Sequence, residues 1–447
     1  MAGMVVKNNM SAVNTLNVLS RNAGELTKSL RKVSSGMRIN GAGDDASGYA
    51  IGERMAVQMR SLDQDNRNTQ NGNSMLKVAE GAVANTVEII STLKEKVLNA
   101  ANDTNTDSDR AQIQKELDQM VDQIDDNANV TYNGQYLVDG SHNKKVVGID
   151  SNGDENGVGT YTCLTNRGFA DTVDDYTDLT ALTDCTGRNL GIQDGDTITV
   201  SWVNQGKTYV FSYKIPDDAR NLNGMFENPD TEKFIVLGST SEYIGKDSSG
   251  NDVVTPDYKP AVTYMAARPG VEGQISGLTI CVTDRNGNIN KSANAVLDNF
   301  EESIRAENNS PDNSIVLQTG TKANQAIKVG LSDMRSYALG LKATDGKTLN
   351  ISTQKNANAA INVLDMALQK CLNQQTKIGS VESRLEYTSA NLVTASENTQ
   401  SSMSTIQDAD MAAEMTAYTK NNVLLQAAQS MLAQANQNSS SVLSLLQ

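Results

Sequence analysis

VLLQAAQSMLAQANQNSSSVLSLLQ, residues 423–447, is the stretch that decides the architecture of this chain. It contains no proline or glycine and is rich in the good helix formers Ala, Leu and Gln. Its apolar residues recur at three- and four-residue steps, which places them in one stripe along a helix: Val423, Leu424, Ala427, Ala428, Met431, Leu432 and Ala435. The stretch therefore predicts an amphipathic helix that needs a partner.

The beginning of the chain provides a matching stripe. Its apolar residues alternate four and three positions apart, the spacing of a coiled-coil seam: Ala12, Leu16, Leu19, Ala23, Leu26, Leu30 and Val33. Neither end has a core of its own in which to bury its stripe. We therefore expect the two ends to pack on each other, and then on neighbouring copies of the chain.

The composition argues for long helices and against several functional classes. Aromatic residues make up only 4% of the 447 residues, so a large conventional globular core is not expected. The formal net charge of −15 disfavours nucleic-acid binding, which needs a basic face. No apolar run reaches the roughly 18 residues of a membrane span. The first residues, MAGMVVKNNMSAV, lack the apolar region of a secretory signal peptide.

Turn residues divide the first part of the chain into three helices. Ser34-Ser35-Gly36 ends the first helix, since glycine is the usual residue after a helix end. The adjacent Asp44 and Asp45 suggest a metal or acid–base site, but aspartate is also a preferred N-cap residue. We interpret them as turns that cap a long helix over residues 46–101. A further helix follows the capping segment Asp107-Ser108-Asp109.

Helical periodicity disappears at about residue 141, where Gly, Asp, Asn, Thr and Tyr become more frequent. Alternating apolar residues near Asn-Gly and Gln-Gly turns predict strands: Val130–Val138, Thr197–Val203, Lys207–Ile215, Val262–Ala266 and Ile275–Thr283. A short helix is predicted over Ser292–Glu307, with Val296, Leu297, Phe300 and Ile304 facing inward. The insert at 141–313 is therefore predicted to be a mostly β domain.

From Ser314 the sequence pattern again resembles that before residue 141. It predicts a hairpin over Ser314–Thr319 and Ala326–Leu331 and a helix from Asn356. The predicted fold class is mainly α, a long antiparallel coiled coil or helical bundle built from both chain ends, with an inserted mostly β domain. Three predicted domains follow: 1–37 with 408–447, 38–140 with 314–407, and 141–313.

Catalysis and metal binding find little support in the residues. The one histidine, His142, excludes an HExxH zinc site, which needs two, and leaves a poor basis for a catalytic triad. Residues 150–156, DSNGDEN, resemble the start of a calcium loop. However, Glu155 and Tyr161 stand where such a loop needs glycine and a bidentate glutamate. We predict no catalytic residue, no metal site and no cofactor.

The four cysteines form neither a CxxC pair nor a dense disulfide framework. Cys163 and Cys185 are candidates for a disulfide, which would contribute about 3 kcal/mol in the chain-entropy model. The alternative is that they stay unpaired, since free buried thiols are common. Cys371 lies on an apolar helical stripe and is predicted to be a core residue.

Several long motifs, in order, resemble the bacterial flagellins, the subunits of the flagellar filament. The resemblance covers about residues 1–140 and 314–447, whereas the insert matches the family's variable region only in position. The motifs that carry it are SSGMRINGAGDDASGYAI at 34–51, AEGAV at 79–83, Tyr132-Asn133-Gly134, IGSVESRL at 378–385 and MLAQANQNSSSVLSLLQ at 431–447.

The resemblance implies an extracellular structural protein of the flagellum and not an enzyme. Flagellins leave the cell through the flagellar type III export channel, which accounts for the lack of a signal peptide. They polymerise under a cap protein after an export chaperone has held the C-terminal helix, and hook-associated junction proteins adjoin the filament. The paired ends would pack in the filament core through Leu16, Leu19, Leu26, Leu30, Val33, Val423, Leu424, Met431, Leu432, Leu443 and Leu446.

One segment departs from the family pattern. Many flagellins carry a segment of the type LxRxRELAVQ that a vertebrate Toll-like receptor binds. Aligned through AEGAV, Thr92 stands here where the key arginine is expected and Lys96 where a leucine is expected. Thr cannot imitate the planar five-donor group of Arg, so we expect weak or atypical receptor activation. The receptor-facing residues implied are Thr92, Leu93, Lys94, Glu95, Lys96, Ile113 and Glu116.

Two alternatives stay open at this stage. A hook–filament junction protein shares the terminal helices, although the closeness of both ends to flagellin disfavours it. A surface adhesin would use the insert as its ligand domain, and clustered exposed aromatic residues there would favour it.

Overall fold

Long helices form both ends of the chain in the computed structural model, which describes residues 9–148, 157–174, 176–215, 221–226, 235–237, 242–255 and 259–445. The helices are α1 (Met10–Ser35), α2 (Ala46–Ala100), α3 (Asp107–Ala128), α4 (Lys291–Leu297), α5 (Gln354–Gln407) and α6 (Met411–Leu445). The strands are β1 (Thr131–Tyr132), β2 (Gln135–Tyr136), β3 (Cys163–Asn166), β4 (Thr197–Asn204), β5 (Lys207–Lys214), β6 (Ile235–Leu237), β7 (Tyr243–Lys246), β8 (Asp252–Val254), β9 (Val262–Met265), β10 (Ile275–Thr283), β11 (Phe300–Ile304), β12 (Ile315–Gln318) and β13 (Ala326–Val329).

The chain folds into two compact units. The first takes in the residues up to Thr69, Gln318–Gln325 and the residues from Tyr387 onward, and the second takes in Gln70–Leu317 and Ala326–Glu386. The second unit contains the largest apolar core, built from α2, α3, α5 and the segment after β13. Terminal helices with a middle region of strands confirm the predicted fold class.

Local capping sets the predicted helix boundaries. Gly36 follows α1 with a φ of 73°, a left-handed conformation that glycine adopts without strain, and its N–H donates to O of Lys32 at 2.9 Å. Asp45 caps α2, because its Oδ1 accepts from the N–H groups of Ser47 and Gly48 at 3.0 Å. Asp44 pairs with Arg31 at 2.9 Å. The interpretation of the two aspartates as turn and capping residues is confirmed.

Besides the β7-β8 pair, the described residues of the insert form two larger sheets. Their strand orders are β10-β4-β5 and β11-β3-β9-β6, and every pairing between named strands in them is antiparallel. Gln205 and Gly206 connect β4 to β5 with φ values of 47° and 69°, the geometry of a type I′ hairpin turn. The predicted hairpins around Asn133-Gly134, around Gln205 and between β12 and β13 are all confirmed.

The predicted helix over Ser292–Glu307 is only half correct. Helix α4 ends at Leu297, and Phe300–Ile304 forms the edge strand β11. The turn-forming residues Asp298 and Asn299 interrupt the helix, and Phe300 then pairs with Asn166 of β3. Because β11 completes a sheet, its tertiary pairing overrides the helical spacing of its apolar residues.

Strand β10 lies against α5 within the second unit. Gly277, at an irregularity in the pairing of β10, has a φ of 65°, and its N–H contacts Sδ of Met366 at 3.1 Å. One turn further along α5, Nζ of Lys370 lies 3.4 Å from Oε1 of Glu302 on β11. Burial lowers the pKa of Lys370 to about 8. The insert is thus packed onto a helix of the chain's second half.

Replacing Gly277 by alanine tests this packing. The new Cβ would lie 2.5 Å from Cγ2 of Val363 and 2.7 Å from its backbone N. We expect the free energy of unfolding to fall by about 2–4 kcal/mol, from the left-handed backbone and the overpacking together. The control is Gly287→Ala, where φ is 82° and nothing lies within 4 Å. It should lose only the backbone part, about 1 kcal/mol. Equal losses in denaturant unfolding would contradict the close approach.

Candidate functional site

The two ends of the chain form an antiparallel helix pair within the first unit. Three hydrogen bonds join α1 and its N-cap residue Asn9 to α6 at three points along the pair. They run from Nδ2 of Asn9 to O of Ala435 at 3.2 Å, from Nδ2 of Asn22 to O of Leu424 at 3.3 Å, and from Nδ2 of Asn421 to Oγ of Ser29 at 3.3 Å. The prediction that the ends pack on each other is confirmed.

The segment that follows α1 is also hydrogen-bonded to the junction between α5 and α6. The N–H of Arg38 donates to O of Gln407 at 2.6 Å, and the N–H of Ala409 donates to O of Gly36 at 2.9 Å. Nη2 of Arg38 donates to O of Ile406 at 2.7 Å. This places a cation at the C-terminal end of α5, where helix carbonyls are otherwise unpaired. We call this set of contacts the connector bridge.

Asp410 separates the two C-terminal helices. Its Oδ1 accepts from the N–H of Ala412 at 2.9 Å and from the N–H of Ala413 at 3.2 Å, which makes it the N-cap of α6. Residues 408–410 therefore lie between two separate helices, α5 and α6.

The predicted apolar stripe of α6 is wider than the surface that α1 covers. Ala428 is buried, and Leu432 and Ala435 are half-buried against α1. Val423 and Met431 remain 59% and 62% exposed. Successive residues turn by 100°, so the covered and exposed residues form two edges of one stripe. One edge of α6 faces its partner helix and the other faces outward.

Helix α1 divides in the same way. Leu19, Leu26 and Val33 are half-buried on the side of α6, whereas Leu16 and Leu30 are 53% and 51% exposed. Leu424 on α6 is 41% exposed. Leu443 and Leu446 lie outside the residues whose side chains are described. We call the outward residues Leu16, Leu30, Val423, Leu424 and Met431 the outer apolar edges.

Sequence reasoning missed part of the covered surface. Asn22, Ser29 and Asn421 lie between the helices, and Ser29 is only 6% exposed. Leu425, which the apolar series passed over, is half-buried there. Their spacing in the sequence could have identified the polar residues on the covered side of α1. Asn22 and Ser29 are seven residues apart, and seven-residue steps keep residues on one side of a paired helix.

The segment aligned with the receptor motif lies in the second unit and is engaged in its own helix contacts. Oγ1 of Thr92 donates to O of Glu88 at 3.0 Å, and Nζ of Lys96 pairs with Oε1 of Glu116 at 2.9 Å. Lys94 pairs with Asp365 of α5.

Three further residues of the implied receptor-facing set differ in exposure. Glu95 is exposed and Ile113 is half-buried. Leu93 is completely buried in the apolar core. The assignment of Leu93 to a receptor-facing surface is therefore wrong, because its side chain points into the helix packing.

The candidate disulfide is not formed, since all four cysteines are free. Cys163 is buried in β3, and burial raises the pKa of its thiol to about 12. Cys185 is exposed, and its N–H donates to O of Gly168 at 2.9 Å, five residues beyond Cys163 along the chain. Strand β3 alone carries the chain roughly 10 Å from Cys163 to Asn166, whereas a disulfide needs Cα atoms within about 7 Å. Cys371 is buried, which confirms it as a core residue.

Other classes of site receive no support from the described part of the chain. Among those residues, no three His, Cys, Asp or Glu side chains are grouped so that they could hold a metal ion. The described helices also include none with the length and apolarity needed to cross a membrane. The calcium-like stretch at 150–156 lies outside the described residues.

A long helix pair that exposes large apolar side chains presents a surface suited to contact with other protein chains, as in structural proteins built from helical subunits. Comparison with protein families agrees: the models for the bacterial flagellin N-terminal and C-terminal helical regions match residues 6–143 and 361–446. The chain belongs to the bacterial flagellin family.

Relatives match over nearly the whole length. A flagellin of Clostridium tyrobutyricum is 32% identical, covering 97% of this chain and 99% of the relative. A flagellin of Bacillus subtilis is 27% identical, covering 99% and 100%. Among solved structures, hook-associated protein 3 of Legionella pneumophila is similar with a TM-score of 0.34 and 14% identity, covering 79% of this chain and 98% of that one. The family consists of structural subunits that form the flagellar filament as homopolymers and serve motility.

Replacing Asp410 by alanine tests the start of α6. Losing the N-cap should destabilise the first turn by about 1 kcal/mol. Hydrogen exchange at the amides of Ala412 and Ala413 should then become roughly fivefold faster, because the free energy of opening the first turn of α6 falls by that amount. Asp408→Ala is the matched control, since Asp408 joins Met37 through its backbone. Unchanged exchange in the Asp410 variant would contradict the capping role.

Proposed function

We propose that this chain is exported from the cell and polymerises into the flagellar filament, with the outer apolar edges of α1 and α6 as the main contact between copies. The exposure of these edges in the single chain is the observation that carries the proposal. Residues 1–37 with 408–447 would form the assembly domain, 38–140 with 314–407 the helical domain, and 141–313 the variable domain.

Burial energetics support this use of the edges. Each large apolar side chain contributes about 1.5–3 kcal/mol when it moves from water into an interior. Five such residues on the outer edges are 41% to 62% exposed. A helical polymer covers the same edges again in every copy, so the gain repeats along the filament. The net charge of −15 opposes association, and added salt screens that repulsion.

The same edges support the proposed partners. An exposed apolar edge on α6 is a surface that an export chaperone at the C-terminal helix would cover before assembly. A cap protein at the growing tip and hook-associated junction proteins at the base would contact the terminal helix pairs of the last and first copies. The localisation that follows is extracellular, in the flagellum, after passage through the flagellar export apparatus.

The filament subunit is favoured over the other candidates. Relatives named flagellins match this chain over nearly its full length, which supports a filament subunit over a hook–filament junction protein. A surface adhesin would need a ligand site in the insert. There Trp202, the aromatic residue at the centre of the cluster with Tyr209 and Phe211, is 3% exposed and serves the core.

The double substitution Val423→Glu/Met431→Glu tests the outer edge of α6. Two lost apolar contacts and two buried charges should raise the protein concentration needed for filament growth by about a hundredfold or more. The measurement is sedimentation with negative-stain electron microscopy in ammonium sulfate. Circular dichroism should show an unchanged helix content.

The matched control is Gln426→Glu/Gln429→Glu, which adds the same charge to the same helix segment. Both glutamines are exposed, and the 100° rotation per residue puts them on a different flank from the outer edge. This control should polymerise close to normally. Normal filaments from the Val423/Met431 variant would rule out the outer edge as the assembly contact.

We also propose that the chain activates the flagellin-sensing Toll-like receptor weakly. Thr92 provides one hydroxyl in place of a guanidinium, and that hydroxyl already donates within α2. Lys96 is paired with Glu116, so both groups are engaged within the chain itself. Arginine anchors often dominate binding energy at interfaces, and this segment has none at the aligned position.

The double substitution Thr92→Arg/Lys96→Leu should lower the concentration for half-maximal receptor signalling at least about tenfold. It restores a planar donor group and releases an ion pair. Ser91→Arg is the control, since Ser91 is exposed and lies one residue away on another side of the helix. A cell-based reporter assay provides the measurement. Wild-type potency equal to that of a flagellin with the usual motif would contradict the proposal.

A further inference from the structure

The apolar part of the α1/α6 seam cannot by itself define how the two helices align. On α1 the half-buried apolar residues Ala12, Leu19, Leu26 and Val33 repeat every seven positions. On α6 Leu425 and Leu432 also lie seven apart, as do Ala428 and Ala435. A slip of one heptad, about 10 Å along the helices, would therefore bring similar side chains together again.

Polar contacts distinguish the observed register from its neighbours. Ser29 is buried at 6% exposure and accepts a hydrogen bond from Asn421 at 3.3 Å. After a slip of seven residues in one direction, Ala428 would stand beside Ser29 and leave its hydroxyl without a side-chain partner. After a slip in the other direction, Glu414 would stand there, and its carboxylate would have to be desolvated. Apart from the connector bridge, the polar groups at this position are what oppose both slips.

We propose that Ser29 and Asn421 are positioning residues that determine the register of the terminal helix pair. The connector bridge holds one end of the pair in place, and the Ser29–Asn421 contact carries that alignment along the helices. A buried polar contact in a largely apolar seam is a known means of selecting one register at a modest cost in stability.

Register matters because the outer apolar edges belong to two different helices. Leu16 and Leu30 on α1 and Val423 and Met431 on α6 form a joint surface only for one alignment, and a slip of about 10 Å would separate them. This consequence rests on the proposed function, whereas the register itself does not. The two are therefore separable by experiment.

The test is disulfide trapping in the full chain, in a Cys185→Ser background that removes the exposed thiol. Ala428→Cys serves as a common anchor. Asn9 reaches Ala435 and Asn22 reaches Leu424, so Leu19→Cys lies opposite the anchor in the observed register. Leu26→Cys lies opposite it only after a slip of seven residues. Links within one chain keep the monomer mass on a denaturing gel, which separates them from links between copies.

Ser29→Ala/Asn421→Ala is the decisive variant. Replacing both partners of a hydrogen bond by apolar groups is nearly neutral in stability, so the thermal melt should shift little. The fraction of chains with the slipped link should nevertheless rise roughly fivefold to tenfold. The exchanged pair Ser29→Asn/Asn421→Ser keeps a donor and an acceptor and should restore the native link. Thr27→Ala/Gln429→Ala, at exposed sites on the same helices, is the control.

An unchanged ratio of slipped to native links in the alanine variant would overturn the proposal. So would a large loss of thermal stability without slipped links, because that is the result of a merely structural contact. The trapping is run on unassembled chain and on filaments. A native link in the trapping chain with Ser29 and Asn421 intact, together with wild-type chain that never polymerises, would refute the proposed function and leave the register inference standing.

Discussion

The structure depends on the burial of two apolar stripes that are each wider than one partner helix can cover. Helices α1 and α6 satisfy part of this requirement within the chain, where Ala428 is buried and Leu432 and Leu26 are half-buried. The remainder stays in water as the outer apolar edges. Burial of apolar surface is the largest favourable term in association. The outer apolar edges are thus the surface that the proposed contact with further copies would cover.

The covered and exposed surfaces of this pair differ in chemistry as well as in position. The contact within the chain combines small and polar residues, such as Ala428, Ser29 and Asn421, with Leu19 and Leu26, whereas Leu16 and Met431 are exposed. The proposed assembly would cover these exposed side chains, and a large apolar side chain contributes about 1.5–3 kcal/mol when it is fully buried.

The insert follows a different principle. Its two larger sheets have their own apolar core, and the insert also contacts α5 at closely packed points. At Gly277 the backbone itself meets the helix, and Lys370 and Glu302 form an ion pair between α5 and β11. Ion pairs away from water need near-ideal surroundings to break even in free energy. Such contacts define orientation more than they add stability, which indicates that the insert is held in one position on its helix.

Much of this protein was determined by local sequence. Capping residues such as Asp45, the Gly36 helix end and the turn at Gln205 and Gly206 act through neighbouring backbone groups, so the helices and hairpins were predictable. The motifs of both chain ends also identified the family. The segment Phe300–Ile304 was not predictable, because its apolar spacing fits a helix and only pairing with β3 makes it a strand.

Tertiary structure alone decided which part of each apolar stripe is used inside the chain. Periodicity defines a stripe but not the direction from which a partner approaches, so Leu19 and Leu16 were indistinguishable in sequence although only Leu19 faces α6. The same holds for Leu93, whose burial depends on the helices around it, and for Cys163 and Cys185, whose separation depends on the sheet. Sequence specifies which surfaces need covering, and three-dimensional packing decides what covers them, because burial is a property of neighbours that the chain brings together from far apart.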